Sequence, residues 1–181
     1  MTKPLLYMLI LSTFVLGSLG CGLGASDDNQ IPSDVLFQDD FSDPSSGWDR
    51  IDLNEGVTDY TDGQYRIFVN TDSTDIWANP GLEFTDVVVE VDATKVGGSD
   101  DNDFGVICRY QGEENFYFFI IGSDQSYGIG IVKDGAQDLL SESPMVYSQA
   151  IQTGNTGNHI RASCVDSQLT LSVNDEKLVE V

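Results

Sequence analysis

The side chains best suited to chemistry fall into four groups. Arg109 and Tyr117 lie in neighbouring apolar runs, and Trp77 and Asn79 stand just before Pro80. An aromatic face that covers sugar C–H groups, beside planar side chains that reach hydroxyls, is the chemistry of a carbohydrate site. The alternative for these residues is packing by Tyr117 and Trp77 and an ion pair from Arg109 to Glu90 or Asp92. Asp100, Asp101 and Asp103 enclose Asn102, gathering three carboxylates and an amide oxygen that suit a hard cation such as calcium. The spacing is not that of an EF-hand loop, and solvated acidic turns are the alternative. Glu90 and Asp92 share one face of a strand, and glycoside hydrolysis needs a pair of carboxylates. His159, the sole histidine, opens a strand after Thr156-Gly157-Asn158 with no Ser or Cys in a recognisable elbow. No glycine-rich phosphate loop and no zinc-ligand spacing occurs, so no catalytic residue is assigned.

Charge narrows the partners. The 181 residues carry 30 acids and 8 Lys or Arg, a net charge of −22. Nucleic acid is excluded as a partner, because its phosphates demand Lys and Arg. Of the acids, 22 are Asp and 8 are Glu, a skew towards turns and away from helices. With 52 Leu, Ile, Val and Phe, the chain has enough apolar surface to fold.

The first 20 residues hold Lys3, an apolar run from Leu5 to Leu16 and the small-residue stretch Gly17-Ser18-Leu19-Gly20 before Cys21. That apolar run is too short to span a bilayer and reads as a signal peptide over 1–20. Cleavage before Cys21 would leave it N-terminal, where a bacterial lipoprotein carries its diacylglyceryl group and meets the membrane. Ser18 stands where such a lipobox has Leu, and Ser18-x-Gly20 also fits ordinary secretion. Residues 21–34 form a lipidated N-terminus and a flexible acidic tether. Cysteine parity bears on the choice. With lipid on Cys21, Cys108 and Cys164 remain as an even pair in an oxidising compartment. Both fall on apolar strand faces, which suits either a disulfide between strands or two buried thiols.

The elements that must position these groups are strands. From Val35 onward, short β-type runs alternate with Asp, Asn and Gly turns, and no helix is predicted. The strands expected are 35–41, 48–53, 64–69, 75–78, 85–94, 104–110, 115–121, 127–133, 148–152, 159–165, 168–173 and 177–181. Alternation is clearest where Val87, Val89 and Val91 oppose Glu90 and Asp92. The reading is an all-β, antiparallel jelly-roll β-sandwich over 35–181. The run Lys177–Val181 has no turn after it, so the sandwich is expected to lack its last one or two strands. Trp48 is assigned to the core.

Several stretches carry a family likeness: Asp39–Trp48, Asp62–Ile67, Phe104–Tyr110, Asn115–Ile120 and Asn158–Arg161 running into Leu169–Asn174. On these the chain resembles the concanavalin A-like lectin/glucanase jelly rolls, and more narrowly the sugar-directed domains of bacterial surface lipoproteins. Relatives of that kind include sugar-binding modules, laminin-G-like domains, laminarinase-type glycosidases and 3-keto-disaccharide hydrolase-like domains. Laminarinase-type enzymes place their acids as Glu-x-Asp-x-x-Glu. Here Glu90-Val91-Asp92 is followed by Lys95 at the third place, and a lysine cannot serve as that carboxylate. The resemblance also implies that Asp39 and Asp40 could sit near a structural ion. What it implies for function is a lipid-anchored, cell-surface module that binds a polysaccharide or surface glycan without chemistry of its own. The alternatives are a glycosidase-like enzyme and a structural or protein-interaction domain of the envelope.

Overall fold

A computed structural model describes residues 34–142 and 145–181. The expected signal peptide, Cys21 and almost all of the tether lie outside the described residues. Twelve strands and no helix form among them: β1 (Ile51–Asp52), β2 (Gly56–Thr61), β3 (Gln64–Val69), β4 (Val87–Ala93), β5 (Asp103–Cys108), β6 (Asn115–Gly122), β7 (Ser126–Lys133), β8 (Ala136–Leu139), β9 (Val146–Tyr147), β10 (Asn158–Val165), β11 (Gln168–Val173) and β12 (Glu176–Glu180). All pairings are antiparallel, and they make three sheets. The first is β1-β2-β3, the second β12-β11-β10-β4, and the third β5-β6-β7-β8 with β9 also on β7. The protein is an all-β antiparallel sandwich, as its alternating strands require.

Asp and Asn make the hairpins. Two-residue turns need left-handed backbone that short polar residues and glycine adopt at low cost. Asp62-Gly63 closes β2–β3 with φ of 51° and 72°, and Asp134-Gly135 closes β7–β8 with 51° and 76°. Asp166 opens the β10–β11 turn at 50°, and Asn174-Asp175 closes β11–β12 at 50° and 68°. The excess of Asp is therefore in large part turn chemistry.

The second and third sheets face each other across one apolar core. Ile160, Ala162 and Cys164 of β10 and Leu169, Leu171 and Val173 of β11 meet Cys108, Phe119, Ile121 and Ile129. Cys108 of β5 and Cys164 of β10 are joined in a disulfide, with Cα atoms 6.7 Å apart, so the bond ties one sheet to the other. The outer face of the third sheet is covered as well. Phe116 and Phe118 are 7% and 6% exposed although they alternate with the core residues. Phe118 lies where a side chain at position 130 would go, since a Cβ on Gly130 would stand 2.1 Å from its ring. The first sheet has an aromatic cluster of its own, in which Trp48 packs 5.5 Å from both Phe41 and Tyr65. Its edge strand β3 leaves Ile67, Phe68 and Val69 exposed.

Several expected strands are absent. Residues 35–41 are irregular because side chains compete for the backbone. Asp39 and Asp40 accept the N–H groups of Phe41 and Ser42 at 2.7 and 2.9 Å, and Asp39 also takes the indole N–H of Trp48 at 2.9 Å. The expected strand 48–53 shrinks to β1, and 75–78 and 148–152 are not strands. In place of the last, β9 pairs with Ser126 and Tyr127. Strand β8 was not expected from Ala136-Gln137-Asp138-Leu139, whose apolar residues do not alternate; the preceding turn folds it back onto β7.

The disulfide closes a loop with a sequence separation of 56. By chain entropy, the double variant Cys108→Ala/Cys164→Ala is expected to lose about 4 kcal/mol of stability. Urea unfolding of the two proteins measures it, and a loss under ~1 kcal/mol would contradict this account.

Candidate functional site

An open cleft of about 340 Å³ is lined by Arg109, Tyr117, Leu140, Ser167, Leu169 and Val181. Two of the lining residues are cross-strand neighbours of the disulfide. Tyr117 is the cross-strand partner of Cys108, and Leu169 is the cross-strand partner of Cys164. Tyr117 comes from β6, Ser167 from the β10–β11 turn and Leu140 from just beyond β8. Val181 follows β12 and exchanges two backbone hydrogen bonds with Leu169, both 2.9 Å. The walls are thus apolar, with a phenol, a hydroxyl and a guanidinium among them.

Arg109 reaches the cleft because β5 ends just before it. Its φ of 49° breaks the alternation, so its side chain is not on the simple opposite face that strand periodicity gives. It turns instead across to the second sheet. Nε donates to the Thr85 carbonyl at 2.9 Å, and Nη2 donates to Asp86 Oδ1 at 2.9 Å and to the Asp166 carbonyl at 2.7 Å. Asp86 Oδ1 also accepts the Asp166 N–H at 3.1 Å. Arg109 therefore holds the entry to β4 and the β10–β11 turn together, and its side chain is only 18% exposed. Of its five N–H groups, the two on Nη1 bond to no protein atom among the described residues. The Tyr117 hydroxyl and the Ser167 hydroxyl are likewise unused. The guanidinium carbon stands 5.9 Å from the centre of the Tyr117 ring.

Of the four residues expected to bind ligand, the structure brings Arg109 and Tyr117 together and places Trp77 and Asn79 elsewhere. Trp77 packs 5.2 Å from Phe116, which points to the opposite face of β6 from Tyr117. Asn79 is committed to the link between β1 and the sandwich, its N–H bonding Asp49 Oδ2 at 3.3 Å and its side-chain oxygen accepting from Gly81 at 3.1 Å. Arg109 pairs with Asp86, not with Glu90 or Asp92. Those two carboxylates are taken by their partners on β10: Arg161 Nε donates to Glu90 at 2.7 Å, and His159 Nδ1 lies 2.8 Å from Asp92. Both pairs sit on the solvent face of the second sheet, where the polar-face reading of the sequence put them. Ser167, Leu140, Leu169, Val181 and Asp86 were not expected at the site. The Asp166-Ser167 turn was legible as a turn, but nothing local says that it faces β6.

The acidic loop before β5 closes on a side chain. Lys95 Nζ donates to the carbonyls of Gly98 and Ser99 at 3.2 and 3.3 Å and pairs with Asp100. The side chain that carries this ammonium is only 8% exposed. Among the described residues no group of three or more His, Cys, Asp or Glu could hold a metal ion, Asp100, Asp101 and Asp103 included. Asp103 instead lies near Asp124, Asp75 and Asp101. Burial first, and then those three carboxylates, push its pKa up to about 6, although part of the residue stays open to solvent. An unfolded Asp titrates at 3.8, so between these values the native state binds more protons than the unfolded one. The Asp103 contribution to stability then falls as pH rises from about 4 through about 6. Asp103→Asn is expected to flatten that slope and to raise Tm at neutral pH, read from thermal melts across the range. An unchanged slope would show that the carboxylates do not interact.

No family model matches the chain, and no curated protein matches it. Among solved structures, it is similar to the carbohydrate binding module CBM66 from Bacillus subtilis, at 16% identity and a TM-score of 0.49, over 75% of this chain and 79% of that one. It is also similar to sheep galectin-11 in complex with glycerol, at 13% identity and a TM-score of 0.39, over 54% of this chain and 71% of that one.

Proposed function

We propose that the chain is a non-catalytic, lectin-like module that binds a polysaccharide or surface glycan in the cleft of Arg109, Tyr117 and Ser167. The observation that carries this reading is the convergence, in one open cleft, of an aromatic side chain, apolar walls and three polar groups with unused hydrogen-bonding capacity. A sugar ring needs that mixture: apolar surface for its C–H groups and fixed donors and acceptors for its hydroxyls. The glycosidase alternative loses support because Glu90 and Asp92 are spent in pairs with Arg161 and His159 on another face. The interaction-domain alternative draws on the exposed apolar edge of β3. Affinity gel electrophoresis against a panel of soluble polysaccharides, with a reducing-sugar assay alongside, tests the first reading. At least one polysaccharide is expected to retard the protein without release of sugar. Ser167→Ala should weaken that retardation roughly three- to tenfold, as for one lost hydrogen bond. Tyr117→Ala should weaken it further, with melts confirming the fold of each variant. Binding indifferent to both substitutions, or sugar released, would defeat the proposal.

We further propose that the module is held at the outer side of a membrane by a lipid on Cys21. The disulfide supports an oxidising compartment, and with Cys108 and Cys164 paired, Cys21 is the one cysteine left for modification. Radiolabelled palmitate is expected to enter the full chain in a bacterial host and not its Cys21→Ala variant. Equal labelling of both, or labelling of neither, would remove the anchor.

A further inference from the structure

The geometry points to neutral saccharides, and against uronate or sulfated ones, as the ligand class of the cleft, an inference that rests on the carbohydrate-binding reading above. A guanidinium in a binding cleft ordinarily suggests recognition of an anion, because its fork matches a carboxylate in both shape and charge. Arg109 does not offer that fork. Nε and Nη2, the pair along one edge of the fork, are occupied by the Thr85 carbonyl, Asp86 and the Asp166 carbonyl. Its positive charge is matched at 2.9 Å by the Asp86 carboxylate. What remains is Nη1, with two N–H donors on a group that is close to neutral together with its partner.

Such a donor suits a hydroxyl or a ring oxygen. An anionic group brought to Nη1 gains the attraction of Arg109 but meets the repulsion of Asp86 on the far side of the same guanidinium. That repulsion offsets part of the attraction, while the anion still loses its water. The other polar groups of the cleft, the Tyr117 and Ser167 hydroxyls, carry no charge to offset that loss. Among the described residues no further cation lines the cleft: its remaining walls are Leu140, Leu169 and Val181. The chain as a whole adds repulsion, at a net charge of −22.

The probes are a set of neutral gluco-, galacto-, manno- and fructo-oligosaccharides and a set of oligogalacturonates of matched length, titrated into the full-length protein by calorimetry. Neutral oligosaccharides are expected to bind at least tenfold more tightly than oligogalacturonates, with an affinity insensitive to added salt. Asp86→Asn leaves Arg109 uncompensated and is expected to narrow the gap by on the order of three- to tenfold, through tighter oligogalacturonate binding. Tighter binding of oligogalacturonate than of every neutral probe by the wild type would overturn the inference while leaving the carbohydrate-binding reading intact. Absence of binding to both sets would overturn the reading and the inference with it. The wild-type comparison stands even where Asp86→Asn fails to fold. If that variant folds and the ratio does not move, charge compensation by Asp86 is not the cause.

Discussion

One corner of the sandwich ties its two facing sheets together. There the Cys108–Cys164 disulfide joins β5 to β10, and Arg109, the next residue along, ties the end of β5 to Thr85, Asp86 and Asp166. The two constraints are of different kinds. The disulfide limits how far the sheets can part, chiefly by restricting the unfolded chain. The arginine satisfies two backbone carbonyls at strand ends, where no ladder partner exists. Together they tie the second and third sheets to each other at one side.

The cleft lies beside that corner. Tyr117 and Leu169 flank the disulfide as the cross-strand neighbours of its two cysteines, so the distance between them follows from the covalent bond. Side chains held in this way lose little further freedom when a ligand arrives, which lowers the entropic penalty of binding. Arg109 is the clearest case. Three of its N–H groups are already anchored, so the two on Nη1 have a fixed direction without any ligand present.

How much of this could be read from the sequence depended on the range of the interaction. Alternation in Val87–Val91 and in β10 and β11 gave the faces of those strands, because period two is a local property. The Asp62-Gly63 and Asp134-Gly135 turns were legible for the same reason. The inward direction of both Cys108 and Cys164 could be read from their apolar neighbours, and the parity of the cysteines made their pairing a consistent expectation. Arg109 and Tyr117 were readable as neighbours, but the direction of the Arg109 side chain was not, because φ at that residue is positive. Trp77 was grouped with them by composition alone. Its actual partner, Phe116, is one residue from Tyr117 in sequence and on the other side of the sheet. The loss of the strand expected at 35–41 has a local cause, the Asp39 and Asp40 side chains, which β-propensity does not weigh against the ladder. The structural role of Asn158 could not be read from the sequence. Asn158 is 2% exposed and accepts from Gln152 and Asn174, closing the 152–158 loop against the β11–β12 turn through contacts that no periodicity encodes.

The charge of the chain takes its meaning from where the cations went. Seven Lys and Arg residues lie between 34 and 181, and five of them are engaged in ion pairs: Arg66 with Asp59, Lys95 with Asp100, Arg109 with Asp86, Arg161 with Glu90 and Lys177 with Glu180. Arg50 lies over the Tyr60 ring. The basic groups therefore organise loops and strand faces, and little positive charge is left to meet a partner. Most of the exposed pairs add little stability in themselves. Their effect is to leave the acids in the majority at the surface and the polar groups of the cleft uncharged or compensated. On the carbohydrate-binding reading proposed above, long-range charge contributes little, and recognition rests on contact through the Tyr117 ring, the apolar side chains of the cleft and a few fixed hydrogen-bonding groups.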